Sequence, residues 1–185
     1  MLNGQTFDEI VIVSQVDGAA LTAAAAASMI PAAAKFTLPP NWCQIGRQIL
    51  LRAAGKISSV ITTPGTARFD VRLGTDVVFD GLAILLDSVA ARTDAAWWLE
   101  ILLTCRGIGA AATFMGHGRW SCEDILGVPA TAPKGALTAM LPWNSAPAVG
   151  ASFDSTVSQV IDVFFTQTAA TGSLTCQQYS VSLLN

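Results

Sequence analysis

Period-two alternation of apolar and polar residues marks most of this chain as strand. The pattern is cleanest at Arg68-Phe69-Asp70-Val71-Arg72-Leu73, where Phe69, Val71 and Leu73 share one face and Arg68, Asp70 and Arg72 the other. Gly74-Thr75-Asp76 turns this strand into Val77-Val78-Phe79, so residues 66–80 predict an antiparallel hairpin. Within residues 96–106, Trp97, Leu99, Ile101, Leu103 and Cys105 alternate with Trp98, Glu100, Leu102, Thr104 and Arg106. A turn at Gly107-Ile108-Gly109 leads into residues 111–122, where Phe114, Gly116, Gly118, Trp120 and Cys122 alternate with Thr113, Met115, His117 and Arg119. Residues 45–59 read as a long strand with a bulge at Gly55. Residues 158–167 and 173–184 read as two strands joined at Ala170-Thr171-Gly172, and a short strand is expected near Ala136–Met140.

The first 35 residues differ. Residues 7–16 have strand character, and an Ala-rich stretch from Ala19 to Ala34, broken by Pro31, follows. Alanine is the best helix former, so Leu21 to Ile30 could make a short helix, but it offers almost no large side chains to anchor one in a core. Residues 1–35 are therefore read as an arm or extended lead-in, ordered by packing on something larger, and residues 36–185 as the β domain. The alternative is a helix packed on its own domain. With about eight strands separated by turn signals, the expected fold is all-β: an eight-stranded antiparallel jelly-roll or β-sandwich with an N-terminal Ala-rich arm.

Composition changes this picture in one respect. Hydrophobic residues make up 52% of the 185 residues and charged ones only 12%, against about 25% in an ordinary soluble domain. That excludes intrinsic disorder. A net charge of −3, with a pI near 4.9, argues against nucleic acid as a partner. Mean hydropathy is +0.51, yet the charge-free run from Gly18 to Ala34 is short, alanine-based and interrupted by Pro31, so no membrane span is expected. The start, MLNGQTFDEI, has no basic region of the kind that opens a signal peptide. So charge-poor a surface points to burial against partners, because obligate interfaces are depleted of charge. Open sheet edges, with few charges to guard them, need covering for the same reason.

No catalytic constellation is evident. There is no G-x-x-x-x-G-K-[ST] and no G-x-S-x-G. His117 is the one histidine, and Cys43, Cys105, Cys122 and Cys176 show no C-x-x-C spacing, so no metal site is expected and the thiols read as reduced, small apolar side chains. Asp70 and Glu100 alternate with core residues near Arg68, Arg72 and Arg106, which suggests cross-strand ion pairs and not a hydrolytic acid pair. Asp87, Asp154 and Asp162 complete the carboxylates weighed for acid–base work; Asp76 and Asp80 fall around the hairpin, and Glu123-Asp124 is too little for a cation cage. Of the five tryptophans, Trp97 and Trp98 are consecutive in a strand and must point to opposite faces, one into the core and Trp98 toward a subunit contact.

The runs KFTLPPNW, GRQILLRAAGKIS, TPGTARFDVRLGTDVVFDG, WWLEILLTCRGIG and ATFMGHGRW, followed by FDST, QVIDVFF and QYSVSLLN, resemble jelly-roll head proteins of tailed phages, of the decoration or cement type, over about residues 36–185. The resemblance implies a homotrimer on the outer capsid surface of the virion, made in the host cytoplasm and clamping neighbouring copies of the major capsid protein. It implies no catalytic residues and no cofactor. Phe7, Ile10, Val11, Ile12 and Val13 are the expected interface residues of the arm, which would pair with a neighbour's sheet edge. The alternative is a receptor- or glycan-binding component of a head fibre or tail, whose mark would be a cleft with exposed Trp and carboxylate side chains.

Overall fold

The alternating segments pair into two antiparallel sheets in a computed structural model that describes residues 8–88, 90–123 and 138–184. Twelve strands form among these residues: β1 (Asp8–Val13), β2 (Ala26–Ser28), β3 (Phe36–Leu38), β4 (Gln48–Ser59), β5 (Thr66–Leu73), β6 (Asp76–Asp80), β7 (Ile84–Leu85), β8 (Arg92–Gly107), β9 (Thr113–Cys122), β10 (Thr138–Leu141), β11 (Gln159–Gln167) and β12 (Ser173–Leu184). The larger sheet has the order β1-β12-β4-β8-β9-β10. The smaller runs β2-β11-β5-β6, with β3 also on β11 and β7 also on β5. The two-sheet sandwich expected from the sequence is thus present. Strands distant in sequence are neighbours in β4·β12 and β5·β11, while β8, β9 and β10 follow one another as a meander. The strand count exceeds the expected eight chiefly because β2, β3 and β7, with three, three and two residues, are too short to carry a readable alternation.

The alternation predicts which faces meet. Phe69, Val71 and Leu73 on β5 and Leu99, Ile101, Leu103 and Cys105 on β8 are buried, and their sequence neighbours lie on the outer faces or are covered by ion pairs. Phe69 joins the two sheets. Its ring lies 5.0 Å from Trp120 and 5.9 Å from Trp97 across the core, and 5.3 Å from Phe165 beside it. Side chains of this size contribute roughly 1.5–3 kcal/mol each on burial. Gly116 completes the fit: a Cβ there would run into the Phe79 ring.

The N-terminal segment departs from expectation. Residues 21–30 hold no α-helix; β2 pairs with β11, Leu21 bridges to Leu174, and Met29 and Ile30 are buried in the core. β1 pairs with β12 of the same chain. Extended pairing and core burial outweigh alanine's intrinsic preference here. The lead-in is therefore held by the sandwich itself, and deleting residues 1–30 would strip Met29 and Ile30 from the core.

The expected bulge falls beside Gly55, but its extra residue is Gln177 on the facing strand: Cys176 pairs with Gly55 and Gln178 with Ala54. A Cβ at position 55 would overlap the Thr175 carbonyl, so the close approach of β12 requires glycine there.

Candidate functional site

Among the described residues, β1 forms one edge of the larger sheet. Ile10 and Val13 on it are 62% and 51% exposed, and Val16 just beyond it is exposed as well. Val11 and Ile12 are half-buried against the core, with the register shifting between Ile10 and Ile12. Of the predicted interface residues, Phe7 lies outside the described residues.

The outer face of the larger sheet carries the other candidates. Arg52 on β4, Glu100 on β8 and Arg119 on β9 stand in one register row. Arg52 Nε donates to Glu100 Oε2 at 3.0 Å, and Arg119 Nη2 lies 3.4 Å from Glu100 Oε1. This is the cross-strand pairing expected of Glu100, with Arg52 and Arg119 as partners in place of Arg106, because register and not sequence proximity sets the neighbours. Met140 and His117 flank the same row, exposed.

The other carboxylates weighed for acid–base work have structural partners, as does Asp80. Asp70 accepts from Arg72 Nε at 2.6 Å, and Arg68 grips Asp80 through two bonds of 2.7 and 2.6 Å. Asp162, buried, accepts from Lys35 Nζ at 2.6 Å and from Ser28 Oγ at 2.7 Å. Asp87 accepts from Arg92 Nη2 at 3.1 Å. Asp154 accepts from the Thr156 hydroxyl and amide, which hold its carboxyl below the usual range. All four cysteines are buried and carry no disulfide. Burial, with the Cys105 thiol alongside, pushes Cys43 up to about 12. Burial likewise pushes Cys176 up to about 12 and raises Cys105. These thiols are poor nucleophiles. Among the described residues no three His, Cys, Asp or Glu side chains gather as a metal would need.

Trp98 sits differently. It is 39% exposed, whereas Trp97 beside it is buried, as the alternation requires. Its cross-strand neighbours are Ala54 on β4 and Ser121 on β9, and Ala96 lies two residues back on the same face. Small side chains thus flank the indole on three sides, and two concavities of about 810 and about 350 Å³ meet at it. The larger is floored by Ala54, Gly55 and Ala96, with Gln177, Gln178 and Asp17 at one end and Glu123 at the other. Gln177 Nε2 donates to Asp17 Oδ2 at 3.2 Å. The β12 bulge leaves both Gln177 and Gln178 exposed, where regular pleating would send one of them inward. Sequence reasoning singled out Trp98 as a subunit contact and missed Asp17, Gln177 and Gln178, since the pairing of β12 with β4 and of the lead-in with β12 brings them to it.

No protein-family model matches the chain, and no curated protein matches it. Among solved structures, the chain is similar to the CBM2 module of the evolved Dit of Lactobacillus casei BL23 phage J-1, at 10% identity and a TM-score of 0.29, over 82% of this chain and 68% of that one. A likeness that remote leaves function to be argued from the residues of this chain alone.

Proposed function

We propose that the chain is a virion structural protein that decorates the outer surface of a tailed-phage head as a homotrimer and reinforces contacts between copies of the major capsid protein. Its role in this reading is mechanical and not catalytic. The observation that carries it is the β1 edge, where Ile10, Val13 and Val16 are exposed in succession with no lysine or proline among residues 8–16 to discourage pairing. The charges on this edge, Asp8 and Glu9, and its register shift lie at or before Ile10–Ile12, and the exposed apolar stretch beyond them suits strand addition between subunits, which draws its strength from main-chain hydrogen bonds. The 12% charged content and the sequence resemblance over residues 36–185 support the same reading.

The test replaces Ile10 and Val13 by lysine together. Both side chains are exposed, so the fold tolerates the change. Sedimentation equilibrium should show a trimer for the parent chain and a monomer for the double variant. Quantitative mass spectrometry of purified virions should find the parent at hundreds of copies per particle. A parent chain that is monomeric at high concentration and absent from heads would overturn the proposal.

A further inference from the structure

Of the two concavities at Trp98, the smaller is lined by Val13 of β1, whereas the larger shares no residue with β1 and is unexplained by assembly through it. We propose that this larger trough binds a neutral saccharide, with one pyranose ring stacked on the Trp98 indole and its hydroxyls held by Gln177, Gln178 and Asp17. The inference is independent of where on a particle the protein sits.

The first argument is steric. Long side chains on neighbouring strands pack against one another across a sheet face. Here Ala54, Ala96 and Ser121 flank the Trp98 indole on three sides and the Glu100–Arg52 pair stands on the fourth, so the ring rises from a low floor with concavities on two sides. Gly55, paired with the inward-facing Trp97 and Cys176, adds only backbone to this floor. The shape fits a flat ligand with an apolar face, such as the C–H face of a sugar ring.

The second argument is chemical. Gln177 and Gln178 each offer an amide donor and acceptor, and Asp17 and Glu123 offer acceptors only. Such groups match the paired donors and acceptors of vicinal hydroxyls. The Gln177–Asp17 bond fixes one amide in advance, which lowers the cost of ordering it on binding. The larger trough is lined by two carboxylates and no lysine or arginine, and Arg52, on the smaller one, is paired with Glu100, so an anionic ligand is disfavoured.

The third argument excludes an extended peptide. The trough lies over β4 and β8, which are interior strands whose main-chain groups are spent on the ladders with β12 and β9 and on each other. A ligand there must bond through side chains, whereas strand addition needs a free edge.

The experiment uses the full chain and a printed array of neutral and anionic glycans, followed by fluorescence titration with the neutral hits. Maltotriose, cellotriose, chitotriose and lactose are included whatever the array returns. The expected result is binding to at least one neutral glycan with a change in tryptophan emission. Trp98→Ala should weaken that binding by about tenfold or more and abolish the emission change. Gln178→Ala should weaken it by a smaller factor. Met140→Ala, exposed on the same face but outside the trough, should bind as the parent does. The proposal fails if no neutral glycan binds at about 10 mM, if only anionic glycans bind, or if Trp98→Ala binds undiminished. A loss of head attachment with glycan binding intact would sink the decoration reading and leave this one standing.

Discussion

Phe69→Ala tests the core that holds the two sheets together. Phe69 is fully buried and touches Trp97 and Trp120 of one sheet and Phe165 of its own. Truncating a buried phenylalanine costs about 3–5 kcal/mol, from lost transfer energy and the cavity left behind. Aromatic pairs add about 0.5–1.5 kcal/mol beyond area, and three rings converge here, so we expect about 4–5 kcal/mol. In a chain of this length each kcal/mol lowers Tm by about 2–4 °C, giving a fall of about 8–20 °C. Urea denaturation followed by intrinsic fluorescence measures the free energy, and calorimetry the melting temperature. Two comparisons sharpen the reading. Phe69→Leu keeps most of the volume and should cost about 1–2 kcal/mol. Val160→Ala, exposed on β11 of the same sheet, should cost no more than about 0.5 kcal/mol. A loss below about 1.5 kcal/mol for Phe69→Ala, or one equal to that of Val160→Ala, would refute the aromatic cluster as the joint between the sheets.

Gly55→Ala should cost about 2–4 kcal/mol, because the new methyl meets the Thr175 carbonyl and β12 must shift; urea midpoints for the variant and parent decide it, and a neutral result would mean the bulge is not as tight as described. The cysteines make stability fall in alkali. Cys43 and Cys176 titrate near 12 in the folded chain against 9.0 when unperturbed, so above pH 9 the unfolded chain sheds thiol protons that the folded chain keeps. The unfolded state then binds fewer protons, and stability declines from about pH 9 toward 12. Burial raises the Tyr179 phenol as well, which adds to the decline from about pH 10. Melting curves between pH 7 and 11 should show the drop, reduced in Cys176→Ala; a flat profile would contradict the burial of these groups.

The sequence was most informative where a strand is half-buried. In 68–73, 96–106 and 111–122 the alternation placed the core residues on the correct face, because one side of each strand packs and the other meets solvent or ion pairs. It was least informative in residues 21–30, where the alanines left an arm ordered elsewhere and a packed helix both open, and long-range pairing with β11 and β12 of the same chain gave neither. The partners of Glu100 and the small-residue floor beneath Trp98 arise from register between strands that lie tens of residues apart in sequence. Nothing local encodes that. The Gln177-Gln178 pair shows the same limit. The dipeptide is unremarkable in sequence, and only a bulge on β12 turns both amides outward.

The position of β12 governs how the molecule can come to be made. This strand lies between β1 and β4, so the start of the larger sheet stays unzipped until residue 184 has left the ribosome. Until then β4 offers a bare flank of twelve residues, including Ile49, Leu51 and Ile57, to any passing chain. Closure over so long a span of sequence is slow, and nascent copies held close together on one message are exposed to one another throughout that wait.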